Sequence, residues 1–253
     1  MSEPRHGGNN YPGLTSFMLL GMGLLLVFLL VRAPASLLQR AVPAASGLAV
    51  SGWGGTVWSG QMAWAQADAS GLLAWRLRPL SLLRGRASAD VTAQGSVPLT
   101  GRVELGLHRM VLEQIQGEVP VTIFQPVLPE GWSLPGVLRA EGLDLARAGL
   151  MSGAWTAATG HLDWAGGSMQ FSLNGQPQQA TLPPVRITLR LEGDSLVLAL
   201  AEASSGLALA QVLINPQGQA ETQARERLLR YNPSYRSGGA DPDAVVVTLQ
   251  PAP

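Results

Sequence analysis

The chain has 253 residues, only 13% of them charged against 46% hydrophobic, and a formal net charge of zero. All 17 cations are arginine, scattered from Arg5 to Arg236, so no basic stripe exists to neutralise a phosphate backbone and nucleic acid is argued against. With no cysteine there is no disulfide, thiol nucleophile or thiolate metal site.

Residues 1–12 contain SEPRHGGNNYP, which has no apolar pattern and reads as a flexible tail. From Phe17 to Val31 the chain then runs FMLLGMGLLLVFLLV without a polar residue. Taken from Gly13 the segment has 19 residues, roughly 28 Å as a helix against a hydrocarbon layer of about 30 Å. A transmembrane anchor is therefore expected over 13–32, with Phe17, Leu20, Leu24, Phe28 and Val31 among its lipid-facing positions. The competing reading is a cleaved signal peptide ending near Ala33-Pro34-Ala35, but Arg32 follows the run directly and the run exceeds an ordinary signal core. Arg5 before the span and Arg32 and Arg40 after it give no orientation by positive charge.

Residues 33–46 read as a short helical linker, Pro34 being tolerated in a first turn and Pro43 ending it. Beyond it the period becomes two. Leu73, Trp75 and Leu77 alternate with Arg76 and Arg78; Val103, Leu105 and Leu107 with Arg102, Glu104 and His108; Met169, Phe171 and Leu173 with Ser168, Gln170, Ser172 and Asn174. Val185, Ile187, Leu189 and Leu191 alternate with Arg186, Thr188, Arg190 and Glu192, and Val245, Val247 and Leu249 with Thr248 and Gln250. That is strand patterning with one apolar face. Glu192-Gly193-Asp194-Ser195 should fold one of these strands back on Leu196–Ala201 as an antiparallel hairpin. Glu221–Tyr231 (ETQARERLLRY) reads as a helix stopped before Pro233.

The expected fold is thus mainly β. One N-terminal transmembrane helix leads into a largely antiparallel twisted sheet domain over 47–253, with one short C-terminal helix. Ser59-Gly-Gln-Met-Ala-Trp-Ala65 echoes Thr159-Gly-His-Leu-Asp-Trp-Ala165 at a spacing of 100 residues, which suggests one strand used twice and two similar halves, 47–145 and 146–253.

Chemistry is sparse. His6, His108 and His161 lack metal-ligand spacing; His161 and Asp163 share a strand face and can pair. Glu113, Glu118, Glu130, Glu141, Asp144 and Asp163 are dispersed, and no G-x-S-x-G elbow, P-loop or H-E-x-x-H motif occurs. No catalytic residue, cofactor or metal is expected, and the protein is read as a non-enzyme. Arg76, Arg78, Arg84 and Arg86 form the densest positive patch, suited to a solvated strand face, to anionic headgroups or to an acidic partner. Trp53, Trp58, Trp64 and Trp75 alternate as core residues do rather than as a ligand platform.

The order of parts resembles protein N of the bacterial type II secretion system. The resemblance is carried by PASLL at Pro34–Leu38, GLAVSGWGGTVWSGQMAWA at Gly47–Ala65 and LAWRLRPLSLLRGRASADV at Leu73–Val91, then by Ser152-Gly-Ala-Trp155 and Gly160-His-Leu-Asp-Trp164. The positions that carry it are Gly55, Trp58, Gly60, Trp64, Trp75, Pro79, Gly85, Gly160 and Trp164, taken as structural. It implies a single-pass protein of the bacterial inner membrane with its bulk in the periplasm. It also implies a non-catalytic accessory role in exporting folded proteins and association with other secretion subunits. The family is distantly similar to AsmA-like β proteins, which implies the alternative of a periplasmic carrier for lipid or another hydrophobic ligand.

Overall fold

The computed structural model describes residues 14–41, 49–66, 69–122, 133–149, 153–173 and 176–249, so the expected tail over 1–12 lies outside it. Helix α1 (Leu14–Val31) has 18 residues and no charge. Phe17, Leu24, Phe28 and Val31 stand exposed along it, and Leu20 lies in its second turn. Among the described residues no helix is long and apolar enough to cross a membrane. At about 27 Å, α1 falls slightly below the roughly 20 residues of a full span. A 3-10 segment, Ala35–Ala41, follows within the expected linker, with Ala35 buried.

Fifteen strands come next among the described residues. They are β1 (Ala49–Gly55), β2 (Ser59–Gln66), β3 (Ala69–Leu77), β4 (Arg86–Gly95), β5 (Leu99–Gly106), β6 (Arg109–Pro120), β7 (Val137–Ala148) and β8 (Trp155–Trp164). After them come β9 (Gly167–Leu173), β10 (Gln176–Leu182), β11 (Val185–Glu192), β12 (Ser195–Glu202), β13 (Ala208–Ile214), β14 (Ala220–Arg225) and β15 (Val245–Leu249). Two four-residue helices interrupt them, α2 (Pro79–Leu82) and α3 (Glu226–Leu229).

Thirteen strands form one antiparallel sheet in chain order, except that β8 pairs directly with β11 while β9 and β10 leave it as a separate hairpin. The alternating runs occupy strands as their period requires, except that Leu107 and His108 lie past the end of β5 in the β5–β6 turn, and the Glu192–Ser195 turn closes β11 on β12 as expected. Register aligns the apolar positions across neighbours: Met62 faces Leu73, Trp75 faces Val91, Leu112 faces Leu145, Leu138 faces Trp164 and Ile187 faces Leu200. A one-residue slip anywhere would turn these side chains to the opposite face.

The core is concentrated in the second half. Met169 and Leu182, from the β9–β10 hairpin, pack over Trp164, Val185 and Leu209, joined by Leu228 and Tyr231 from the region of α3. Beside them Ala140, Leu143, Ala158, Leu189 and Leu196 form a second buried group. One element differs from its expectation. The helix expected over Glu221–Tyr231 is strand β14 as far as Arg225, and only Glu226–Leu229 is helical. The strand prevails because Ala220, Thr222 and Ala224 continue the apolar face while Gln223 bonds the Gln211 side chain on β13.

Candidate functional site

At one end of the sheet the chain arriving from α1 is tied to the β1–β2 turn. The Val57 N–H donates to the Ala33 carbonyl at 2.9 Å, and Pro34 bridges to Thr56. The tryptophan-rich stretch is built around this joint. Trp53 meets Trp75 edge-on with ring centroids 6.0 Å apart, and the Trp75 indole N–H donates to the Val57 carbonyl at 2.9 Å. Gly60 faces Trp75 across the pair; a Cβ there would lie 2.6 Å from the indole Cζ2 and 2.7 Å from the Gly54 carbonyl. Gly55 pairs with Gly60, Trp58 sits in the turn and Trp64 is half-buried on β2. Pro79 opens α2, and Gly85 ends the turn that follows. A shallow depression of about 580 Å³ lies over Gly60, Trp75, Arg76 and Asp90. The Trp53 and Trp75 indoles thus pack against one another and against the backbone of this joint.

Gly160 and Trp164 occupy β8. A Cβ on Gly160 would meet the Gly142 carbonyl at 2.4 Å, where β7 bulges, and the buried Trp164 donates its indole N–H to the Pro135 carbonyl at 2.9 Å. Both glycines of the internal echo therefore sit where neighbouring groups crowd the backbone.

The polar face carries a ladder of cross-strand charges. Arg78 and Arg102 both bind Asp90, and Arg102 reaches Glu113. Further along, Arg139 pairs with Glu118, and Asp163 binds Arg186 at 2.8 Å. Loss of hydration pushes the Asp90 carboxyl up, but hydrogen bonds from Arg102 and Arg78 leave it below its ordinary range. Asp163 is likewise held low, chiefly by the Arg186 hydrogen bond.

The expected His161–Asp163 neighbours are 3.5 Å apart, and Glu141 joins them from β7, 3.3 Å from His161 Nε2. Three potential ligand atoms thus lie within 4.8 Å of one another. Asp163 is already neutralised by Arg186, so the trio is a link in the ladder. Glu141 was visible in sequence only as one dispersed carboxylate, since its position opposite His161 depends on the β7–β8 register. His6 and Glu130 lie outside the described residues.

The two sheet edges differ. β1 carries a bulge between Ser51 and Gly54, and the 3-10 segment packs along it. β15 is an uncharged run, VVVTL, with no described strand on its outer side and with Val245 and Val246 exposed. It is brought back to the sheet by the segment after α3. There Arg227 binds Asp243 at 3.0 Å and Arg225 donates to the Asp243 carbonyl. The Glu226 carboxylate, wholly buried, accepts from the Tyr235 hydroxyl at 2.6 Å. That bond, then one from Ser237, holds Glu226 below its usual range. β15 also bulges, Val246 falling between the Ala224↔Val247 and Arg225↔Val245 pairs, but a short edge strand without charge still invites pairing with another chain.

Compared with known families, residues 46–236 match the family model for type II secretion system (T2SS), protein N. No curated protein and no solved structure matches the chain.

Proposed function

Because the chain belongs to the family of type II secretion system protein N, a family of the secretion apparatus, we propose that it is a non-catalytic assembly component that links or stabilises other subunits during export of folded proteins. The family match over 46–236 carries this reading. In it, α1 fixes the protein in the bacterial inner membrane as a single pass. Its support is an uncharged helix whose Phe17, Leu24, Phe28 and Val31 find no cover in the fold. The sheet then lies in the periplasm and offers β15 for strand addition by a partner, where backbone hydrogen bonds supply affinity and the exposed valines supply contact.

A hydrophobic-ligand carrier is the second reading. It draws support from the apolar face of β2–β6, where Met62, Leu73, Val91 and Val103 are only half-buried. It loses support on β11, where Val185 and Leu189 are covered by protein. Crosslinking in intact secreting cells, followed by identification of adducts, separates the two. Other secretion subunits are expected, whereas copurified lipid without them would favour the carrier. A C-terminal reporter active only in the cytoplasm would contradict the periplasmic placement.

A further inference from the structure

The antiparallel meander sends alternate turns to opposite ends of the sheet, so the end that receives α1 also carries the β3–β4 connection and the β5–β6 turn. Leu77 N–H donates to the Trp58 carbonyl, which places the end of β3 beside the β1–β2 turn, and Arg86 pairs with Gly106. On these two neighbouring tips stand Leu80, Leu83 and Leu107, at 76%, 85% and 84% the most exposed of the large apolar side chains among the described residues. Arg84 and Arg109 stand beside them, and their guanidinium groups have no hydrogen-bond or ion-pair partner among the described residues.

The same end changes character with distance from α1. The β11–β12 turn is Glu192-Gly193-Asp194, and the β13–β14 turn is Asn215-Pro216-Gln217-Gly218-Gln219. Among the described residues, the most exposed leucines beside free arginines thus stand on the hairpins nearest the helix. Such a pairing suits the boundary of a bilayer, where apolar side chains enter the acyl region and arginines meet anionic headgroups.

We propose that Leu80, Leu83 and Leu107, with Arg84 and Arg109, form a second membrane contact that seats this end of the sheet on an anionic lipid surface. The proposal rests on the reading of α1 as the anchor, which puts the bilayer at this end. Two contacts would fix the tilt of the sheet relative to the membrane and so hold β15 at a defined height.

Because the natural chain has no cysteine, single spin labels report position cleanly. The full-length protein is reconstituted in vesicles of phosphatidylcholine with phosphatidylglycerol and labelled at L83C, L107C, F28C on α1, or S96C at the opposite end. Labels at 83, 107 and 28 are expected to collide several-fold more with oxygen than with a water-soluble nickel chelate, and the label at 96 the reverse. Removing phosphatidylglycerol should move 83 and 107 toward water but not 28. If 83 and 107 behave like 96 while 28 stays in hydrocarbon, the second contact is overturned and the anchor stands. A water-exposed label at 28 overturns both. An unchanged depth without phosphatidylglycerol overturns the part assigned to the arginines.

Discussion

At the scale of single residues, the tryptophans and glycines of the two echoed strands are crowded by their neighbours. Trp164 is 5% exposed, donates to Pro135 and sits in the densest part of the core. Trp164→Ala should cost about 3–5 kcal/mol, read as a lowered urea midpoint with an unchanged slope. Gly160→Ala should also destabilise, since φ is +97° there and the added carbon collides with the Gly142 carbonyl. The Asp163–Arg186 pair is partly exposed, so Asp163→Asn should remove at most about 1 kcal/mol.

Asp90, Asp163 and Glu226 are all held below their unfolded values, so their contribution is complete above the ordinary carboxylate range of about 4 and is lost as the pH falls through the lowered folded values. Denaturation midpoints should therefore hold near pH 6 to 7 and drop below about pH 4. A midpoint that rose on acidification would contradict the ladder.

At the scale of elements, alternation in the sequence was enough to place the runs around Trp75, Val103, Met169, Ile187 and Val247 in strands, because a period of two is imposed by the strand itself. The β11–β12 hairpin was legible because the turn-forming stretch Glu192-Gly193-Asp194-Ser195 separates its apolar runs. Pairing between distant strands was not. Nothing local in the chain tells β8 to skip the hairpin over Gly167–Leu182 and join β11, a choice made when Met169 and Leu182 cover Trp164 and Val185.

For the same reason the Glu141–His161 approach and the bulge at Gln114 could not be foreseen. Gln114 has a positive φ of 52°, and its N–H is taken by Asp144, which lies thirty residues away. The misread helix at Glu221–Tyr231 did contain the alternation Ala220, Thr222, Ala224 against Glu221, Gln223, Arg225, which was masked by good helix formers. At this scale β15 makes the clearest prediction. Val247→Pro removes a backbone donor from a sheet position, and partner recovery should fall while the urea midpoint moves little, since among the described strands β15 pairs with β14 alone.

At the scale of the molecule, one sheet runs without interruption from β1 to β15 apart from the excursion through β9 and β10. Charge binds its strands on one face and apolar packing closes the second half of the other. The depressions on this body are shallow and open to solvent. Its distinctive features are peripheral: a helix at one end, leucine and arginine tips beside it, and a bare strand along one side.

In the proposed role, the uncovered strand β15 receives another subunit of the secretion machine. A photoreactive benzoylphenylalanine at Val246, introduced into the full chain in secreting cells, tests it directly. The expected product on irradiation is a covalent adduct with another subunit of the type II secretion system, absent when the group is placed instead at Ser96. Adducts to lipid alone, or equal capture from both positions, would contradict it.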